Sequence, residues 1–302
     1  MLRDLGNSDE VVRASQRLLN LAEVGDRLPT PVDDLIAAAG LHRGSDDLFD
    51  DDTIDEAPRH LRDAIRGLRG KVHAALDRRR RAVYVDPSIN HDGRRAFRAL
   101  HEVGHDILPS QNAPAHGDDA FTMSWLTKVR WERDANQAAA ELLFQRERFT
   151  RMAAEYQTGL ATMVKLTQMF GGSLQAGHRR YVEFHRDPVA GLVLDVSPRS
   201  TEPETYRRYE AICSPAWEAQ FGRTDCWPSA MDACSFAFVE GAERANVWPQ
   251  VEWEGRWPDH ENAMIPLRAE IMSTSYRLLV LLWAPQRALF KRRLALRDRT
   301  PS

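Results

Sequence analysis

Cysteine is scarce in this chain of 302 residues: there are three, Cys213, Cys226 and Cys234, all beyond position 212. An odd, sparse count excludes a disulfide scaffold and suits a reducing compartment. Long apolar runs are also missing. No stretch approaches the ~18 residues of a spanning helix, and the longest candidate, Leu278-Leu279-Val280-Leu281-Leu282-Trp283, has the length of a strand. The opening Met1-Leu2-Arg3-Asp4-Leu5-Gly6 carries no apolar signal-peptide core. Neither charge sign dominates: 41 Lys and Arg stand against 44 Asp and Glu, a net charge of −3. That balance gives no global pull toward nucleic acid or a membrane surface. The expectation is a cytoplasmic globular protein with no membrane contact. Its length admits one large domain or two ordinary ones, and no internal repeat is present.

What is there centres on residues 94–108, Arg-Arg-Ala-Phe-Arg-Ala-Leu-His-Glu-Val-Gly-His-Asp-Ile-Leu. Phe97, Leu100, Gly104, Ile107 and Leu108 recur at three- and four-residue spacing, which predicts a buried helix ended by Pro109. Within it lies His-Glu-x-x-His. His101 and His105, four apart, fall on one face and can reach one zinc ion at about 2.0–2.1 Å. Glu102 sits beside them, where it can take a proton from a water activated by the metal. The plainer alternative is a helix with two satisfied histidines and a surface acid. The apolar flanks weigh against it, because a polar trio on a buried helix needs partners.

Around this helix the chain reads as follows. Residues 9–24 are expected to be helical. Thr30 and Pro31 cap and begin a second helix stopped by Gly40. Residues 46–56 are an acidic loop, read as solvated chain rather than an ion site, and 58–68 a further short helix. Strands are expected at 71–76 and 81–85, joined through Asp77-Arg78-Arg79-Arg80, a hairpin tip of solvated arginines. Asn90 or Asp92 is placed to cap the zinc helix. One long, mostly helical stretch runs from Phe121 to about Glu155. Residues 158–182 have a helix-turn-helix-like shape around Gly171-Gly172; such pairs are common packing elements, so direct nucleic-acid binding is the less favoured reading. Near residue 186 helical periodicity gives way to short apolar runs at 191–196, 235–239, 265–271 and 277–283, closed by a basic helix at 286–297. The expected organisation is therefore α+β, with domains at 1–186 and 187–302. Six of the eight tryptophans fall in the second domain, where core filling is a plainer account than a ligand pocket.

A catalytic zinc takes three protein ligands and leaves one position open. Six residues beyond His105 stands Gln111, so an extended three-histidine pattern is absent, and no Cys precedes the helix. A carboxylate from a following helix remains. Glu132 fits, with Asn136 one turn on and able to hydrogen-bond the far nitrogen of a ligand histidine. Asp134 and Glu141 compete for the ligand role, and Glu132 also reads simply as a surface acid beside Lys128 and Arg133. For the oxyanion, His73, Tyr84, His116 and His178 are all candidates.

His101-Glu102-Val103-Gly104-His105 followed by Glu132-Arg133-Asp134-Ala135-Asn136-Gln137-Ala138-Ala139-Ala140-Glu141-Leu142-Leu143 resembles the ImmA/IrrE family of zinc metallopeptidases. That family shows His-Glu-Leu-Gly-His and then Glu-x-x-Ala-Asn-x-Phe-Ala-Ala-Glu-Leu-Leu. The strand pair before the zinc helix, the Arg-Arg-x-Phe entry at 94–97 and the turn at 169–173 are similar too. The resemblance covers roughly residues 10–182. It implies a zincin-like, mostly helical metallopeptidase domain with a small sheet, Zn2+ bound by His101, His105 and Glu132, and Glu102 as catalytic base. It also implies a C-terminal sensor-like, GAF-like domain in some members and a protein substrate, typically a helix-turn-helix repressor, in stress response or prophage control. Where the family has Phe, this chain has Ala138, a loss of packing bulk rather than of chemistry. The rival class is a zinc-containing regulatory protein that binds a partner or DNA without cutting. An intact Glu102 favours the enzyme, since a purely structural zinc needs a fourth ligand and no base.

Overall fold

The computed structural model describes residues 8–44, 73–112, 125–195, 205–224, 227–231, 251–259, 261–274 and 277–285. The segments expected as an acidic loop at 46–56, a helix at 58–68, a strand at 235–239 and a basic helix at 286–297 lie outside them. The fold is mixed α+β, and no described helix is long and apolar enough to cross a membrane. Contacts divide the chain into two compact units, Met1–Glu147 with Met169–Ser173, and Arg148–Gln168 with Leu174–Ser302. Composition placed the boundary near 186. The division falls earlier because helices beyond residue 147 pack with the C-terminal strands, as His178 does against Val280.

The first unit begins with α1 (Ser8–Leu21), whose Asp9 and Glu10 sit at the positive end of the helix dipole. Its buried stripe is Val11, Ala14, Leu18 and Leu19. In α2 (Val32–Ala38) the expected Thr30 cap is not made: the N-cap is Pro31, without a side-chain bond. Thr30 instead donates its hydroxyl to the Leu143 carbonyl, 2.6 Å away. Gly40 ends the helix at φ +69°, a conformation that favours glycine. Strands β1 (His42–Arg43), β2 (Ala74–Asp77) and β3 (Ala82–Val85) form a sheet in the order β1-β3-β2. β2 and β3 are an antiparallel hairpin with Ala74 opposite Val85. At its tip the Asp77 carboxylate accepts the N–H groups of Arg79 and Arg80, both at 2.9 Å, which fixes the turn from which the arginines project.

Next come α3 (Asp92–Ile107), the short α4 (Pro109–Asn112) and α5 (Trp125–Leu143). The cap of α3 is neither Asn90 nor Asp92 but His91, whose Nδ1 accepts the Gly93 N–H at 3.1 Å. Ala99, Leu100 and Val103 are fully buried on its inner face. Burying a side chain the size of Leu100 or Val103 contributes about 1.5–3 kcal/mol. α3 and α5 meet backbone to backbone: a Cβ on Gly104 would lie 2.9 Å from the Ala135 carbonyl oxygen and 3.1 Å from the Ala138 Cβ.

The long helix expected to about residue 155 is broken. Gln145 and Arg146 take φ +50° and +55°, and a new helix α6 (Glu147–Glu155) starts after them. Each left-handed non-glycine costs about 1–2 kcal/mol. Tertiary bonds offset it: Gln145 Nε2 donates to the Arg27 carbonyl (2.9 Å) and the Thr30 hydroxyl (3.0 Å), and Arg146 donates to Gln16 Oε1 (2.8 Å).

The second unit holds most of α6, α7 (Leu160–Phe170), α8 (Leu174–Glu183), β4 (Val189–Asp195), β5 (Tyr206–Cys213), α9 (Pro215–Phe221), β6 (Ala230–Met231), β7 (Val251–Pro258), β8 (Met264–Ser273) and β9 (Arg277–Trp283). The six strands form one antiparallel sheet, β6-β5-β4-β9-β8-β7. β4 is buried on both faces, hence its nearly unbroken apolar run. Ala190, Leu192 and Leu194 face a core with Leu278, Val280, Leu282 and Trp217. On the other face a Cβ on Gly191 would lie 2.6 Å from His178 and 2.8 Å from Val182 of α8. The tryptophans are mainly core material. Trp217 is buried 4.4 Å from Phe221 and 6.2 Å from Trp227, while Trp253 and Trp257 pack against the same core; Trp248 lies outside the described residues.

Candidate metal centre

Three side chains from two helices converge. On α3, His101 is buried and His105 half-buried, with Nε2 atoms 3.1 Å apart and rings meeting edge to face. From α5, the Glu132 carboxylate places Oε2 3.3 Å from His101 Nε2 and Oε1 3.6 Å from His105 Nε2. Two nitrogens and one carboxylate oxygen, mutually within 4.8 Å, form the one such ligand group among the described residues. Bond lengths of about 2.0–2.2 Å to a tetrahedral zinc require donors about 3.3 Å apart, so donor chemistry and spacing both fit that ion. Glu102, half-buried, adjoins both histidines along the helix.

The competing carboxylates are engaged elsewhere. Asp134 is buried with Arg130 at 3.8 Å, and Glu141 is buried with Arg146 at 3.7 Å. Helical geometry explains the choice, since Asp134 points about 200° around α5 from Glu132. Asn136 is exposed. The far nitrogen of His105 meets Gln111 instead, with Nδ1 2.5 Å from Gln111 Oε1. Sequence reasoning reached Gln111 only as the absence of a third histidine. The sharp bend at Leu108 into α4, which turns Gln111 back onto His105, leaves no periodic signal.

The electrostatics follow from this packing. Hydrogen bonds from His101 and His105 hold the Glu132 carboxyl well below the usual carboxylate range. Burial works to lower the His105 pKa, but the bonds to Glu132 and Gln111 outweigh it and the net shift is upward. Burial pushes Glu102 upward against the pull of the two imidazoles, which makes it a stronger base than an exposed glutamate.

Of the oxyanion candidates, His178 is fully buried in the second unit, donating Nε2–H to the Val280 carbonyl at 3.0 Å, and burial holds its pKa down near 4. Tyr84 is buried with its ring against Gly44, His73 faces Asp86 at 3.6 Å, and His116 lies outside the described residues. The helix-turn-helix-like pair is present as α7 and α8, but α8 spends its surface on the protein itself. His178, Arg180, Tyr181 and Val182 are buried, and Arg179 binds Glu210 at 2.6 Å. Cys213 is buried in the sheet core, outside the metal group.

Residues 63–181 match the family model described as "Peptidase_M78: IrrE N-terminal-like domain". No curated protein matches the chain. Among solved structures, a Mycobacterium tuberculosis transcriptional regulator aligns with a TM-score of 0.51 at 14% identity, covering 91% of this chain and 76% of that one. At that identity the likeness is one of fold.

Proposed function

With residues 63–181 belonging to the ImmA/IrrE family, we propose that the protein is a cytoplasmic zinc endopeptidase that cuts a specific regulator, a helix-turn-helix repressor, in stress response or mobile-element control. The observation that carries this reading is the convergence of His101, His105 and Glu132 next to a half-buried Glu102. His101, His105 and Glu132 would hold the zinc, which would supply an activated water and a Lewis acid for the scissile carbonyl. Glu102 takes the water's proton and passes it to the leaving amine, a task suited to a carboxylate whose proton affinity burial has raised. β2, an outer strand of the β1-β3-β2 sheet among the described residues, offers its outer edge to an extended substrate segment as an added antiparallel strand. In this reading the C-terminal sheet domain senses the signal or binds the partner.

The test is incubation with a helix-turn-helix regulator encoded beside this chain, with and without a chelator. A defined cut that the chelator abolishes is expected. Glu102→Gln should keep the metal and lose about 10²–10⁴-fold in rate, the usual contribution of a general base; normal cleavage by that variant overturns the mechanism. The fold shared with a transcriptional regulator favours a second reading, in which zinc holds the domain and the chain regulates by binding alone. A regulator bound but left uncut in both arms supports that one.

A further inference from the structure

We infer that Gln111 is a positioning residue that sets the tautomer of His105 and links the two metal-bearing helices, with Arg78 as its brace. The inference rests on the zinc reading above. The side-chain amide of Gln111 has no freedom to flip. Its Nε2 lies 3.1 Å from the Trp131 carbonyl, which can only accept, so the nitrogen must face that way. Its Oε1 then faces His105 Nδ1 at 2.5 Å, and only a protonated Nδ1 satisfies it. His105 thereby presents Nε2 to the space it shares with Glu132 and His101, where that nitrogen would serve as the donor to a metal. Trp131 immediately precedes Glu132 on α5. One buried amide therefore contacts the ligand histidine of α3 and the backbone beside the ligand carboxylate of α5.

Arg78 holds this amide's backbone in place. From the hairpin tip its guanidinium donates to the Gln111 carbonyl at 2.9 Å and to the His105 carbonyl at 2.8 Å. Those are carbonyls at the C-terminal end of α3 and in the turn of helix after it, where a cation is favoured. The first arginine of the tip is thus a strut against the zinc helix rather than a solvated charge. No equivalent support holds the other histidine: His101 Nδ1 is buried with no hydrogen-bond partner among the described residues. The site is asymmetric, with His105 preorganised and His101 held by packing. Partners of this kind typically change metal affinity about 10- to 100-fold.

The experiment measures zinc affinity of the full chain by chelator competition, together with the His105 tautomer from imidazole nitrogen chemical shifts in NMR. Gln111→Met preserves volume and removes both polar contacts. It should bind zinc about 10- to 100-fold more weakly and lose the Nδ1-protonated form of His105. Gln111→Glu, which keeps an acceptor at that place, should retain the tautomer and stay within about tenfold of the parent affinity. Should Gln111→Met fail to fold, the exposed Arg78→Ala serves, with an expected loss of about tenfold. Parent-like affinity with the Nδ1-protonated tautomer intact in Gln111→Met, or parent-like affinity in Arg78→Ala, overturns the inference. His101→Ala separates the two failures. If it abolishes zinc binding while Gln111→Met leaves it unchanged, the inference alone falls. If the parent binds no zinc, or His101→Ala binds it equally, the zinc reading falls and takes the inference with it.

Discussion

Gly104 lies between His101 and His105 on α3, and replacing it by alanine sets two opposite effects against each other. In an exposed helix interior that change stabilises by up to about 1 kcal/mol, because glycine is the poorer helix former. Here the added methyl would sit 2.9 Å from the Ala135 carbonyl oxygen, 3.1 Å from the Ala138 Cβ and 3.2 Å from the Ala135 Cα. All three neighbours belong to the backbone or first carbon of α5, so none can swing aside. Relief requires the helices to part by about half an ångström, and overpacking of that kind costs about 1–3 kcal/mol. The steric term wins, for a net loss of about 1–2 kcal/mol. The same movement carries Glu132 away from His101 and His105. Half an ångström is already about the tolerance of a functional site, so zinc affinity should fall about tenfold. Urea unfolding of the metal-free chain gives the first quantity and chelator competition the second. If Gly104→Ala is as stable as the parent or more so, the close approach of α3 and α5 is refuted, along with the account of how the site is assembled.

Other predictions concern the frame. His178 is neutral and buried with a folded pKa near 4 against an ordinary 6.5, so the unfolded chain binds the extra proton between those values. Stability should therefore fall as pH drops from about 6.5 to about 4, by about 3 kcal/mol in all; His178→Gln should flatten that part of a pH series of urea midpoints. Arg81 binds the buried Asp106 with two hydrogen bonds, at 2.6 and 2.9 Å. Arg81→Ala removes both of these bonds and should cost about 2 kcal/mol, less than a fully buried pair because Arg81 is partly exposed; a thermal midpoint unchanged from the parent would contradict it.

Helical spacing made half of the candidate metal site legible. His101 and His105 are four apart within an apolar repeat, so their shared face is fixed by the period of the helix, and the register of α5 places Glu132 and Asp134 on different faces without choosing between them. What spacing does not encode is where the chain goes after a helix ends. Gln111 reaches His105 through the bend at Leu108, and the second contact was assigned to Asn136, which in fact points outward. The break at Gln145 and Arg146 has no Gly or Pro to announce it, because tertiary bonds to Arg27, Thr30 and Gln16 impose it. Apolar runs marked β4, β8 and β9, whereas β5 and β7 passed unnoticed. β7 alternates Trp253 and Trp257 inward with Glu252, Glu254 and Arg256 outward, a period-two pattern present in the sequence but masked by its charge. The boundary expected near 186 follows a change in composition, while the contacts of the described structure divide at 147.

The central claim is that His101, His105 and Glu132 together hold one catalytic zinc beside Glu102. The most direct measurement is metal content after exhaustive dialysis, by elemental analysis of the parent chain, Glu132→Ala and Glu102→Gln, all shown to be folded. The account predicts about one zinc per chain in the parent and in Glu102→Gln, and a small fraction of that in Glu132→Ala. Full retention of zinc by Glu132→Ala, or its absence from the parent, would contradict it.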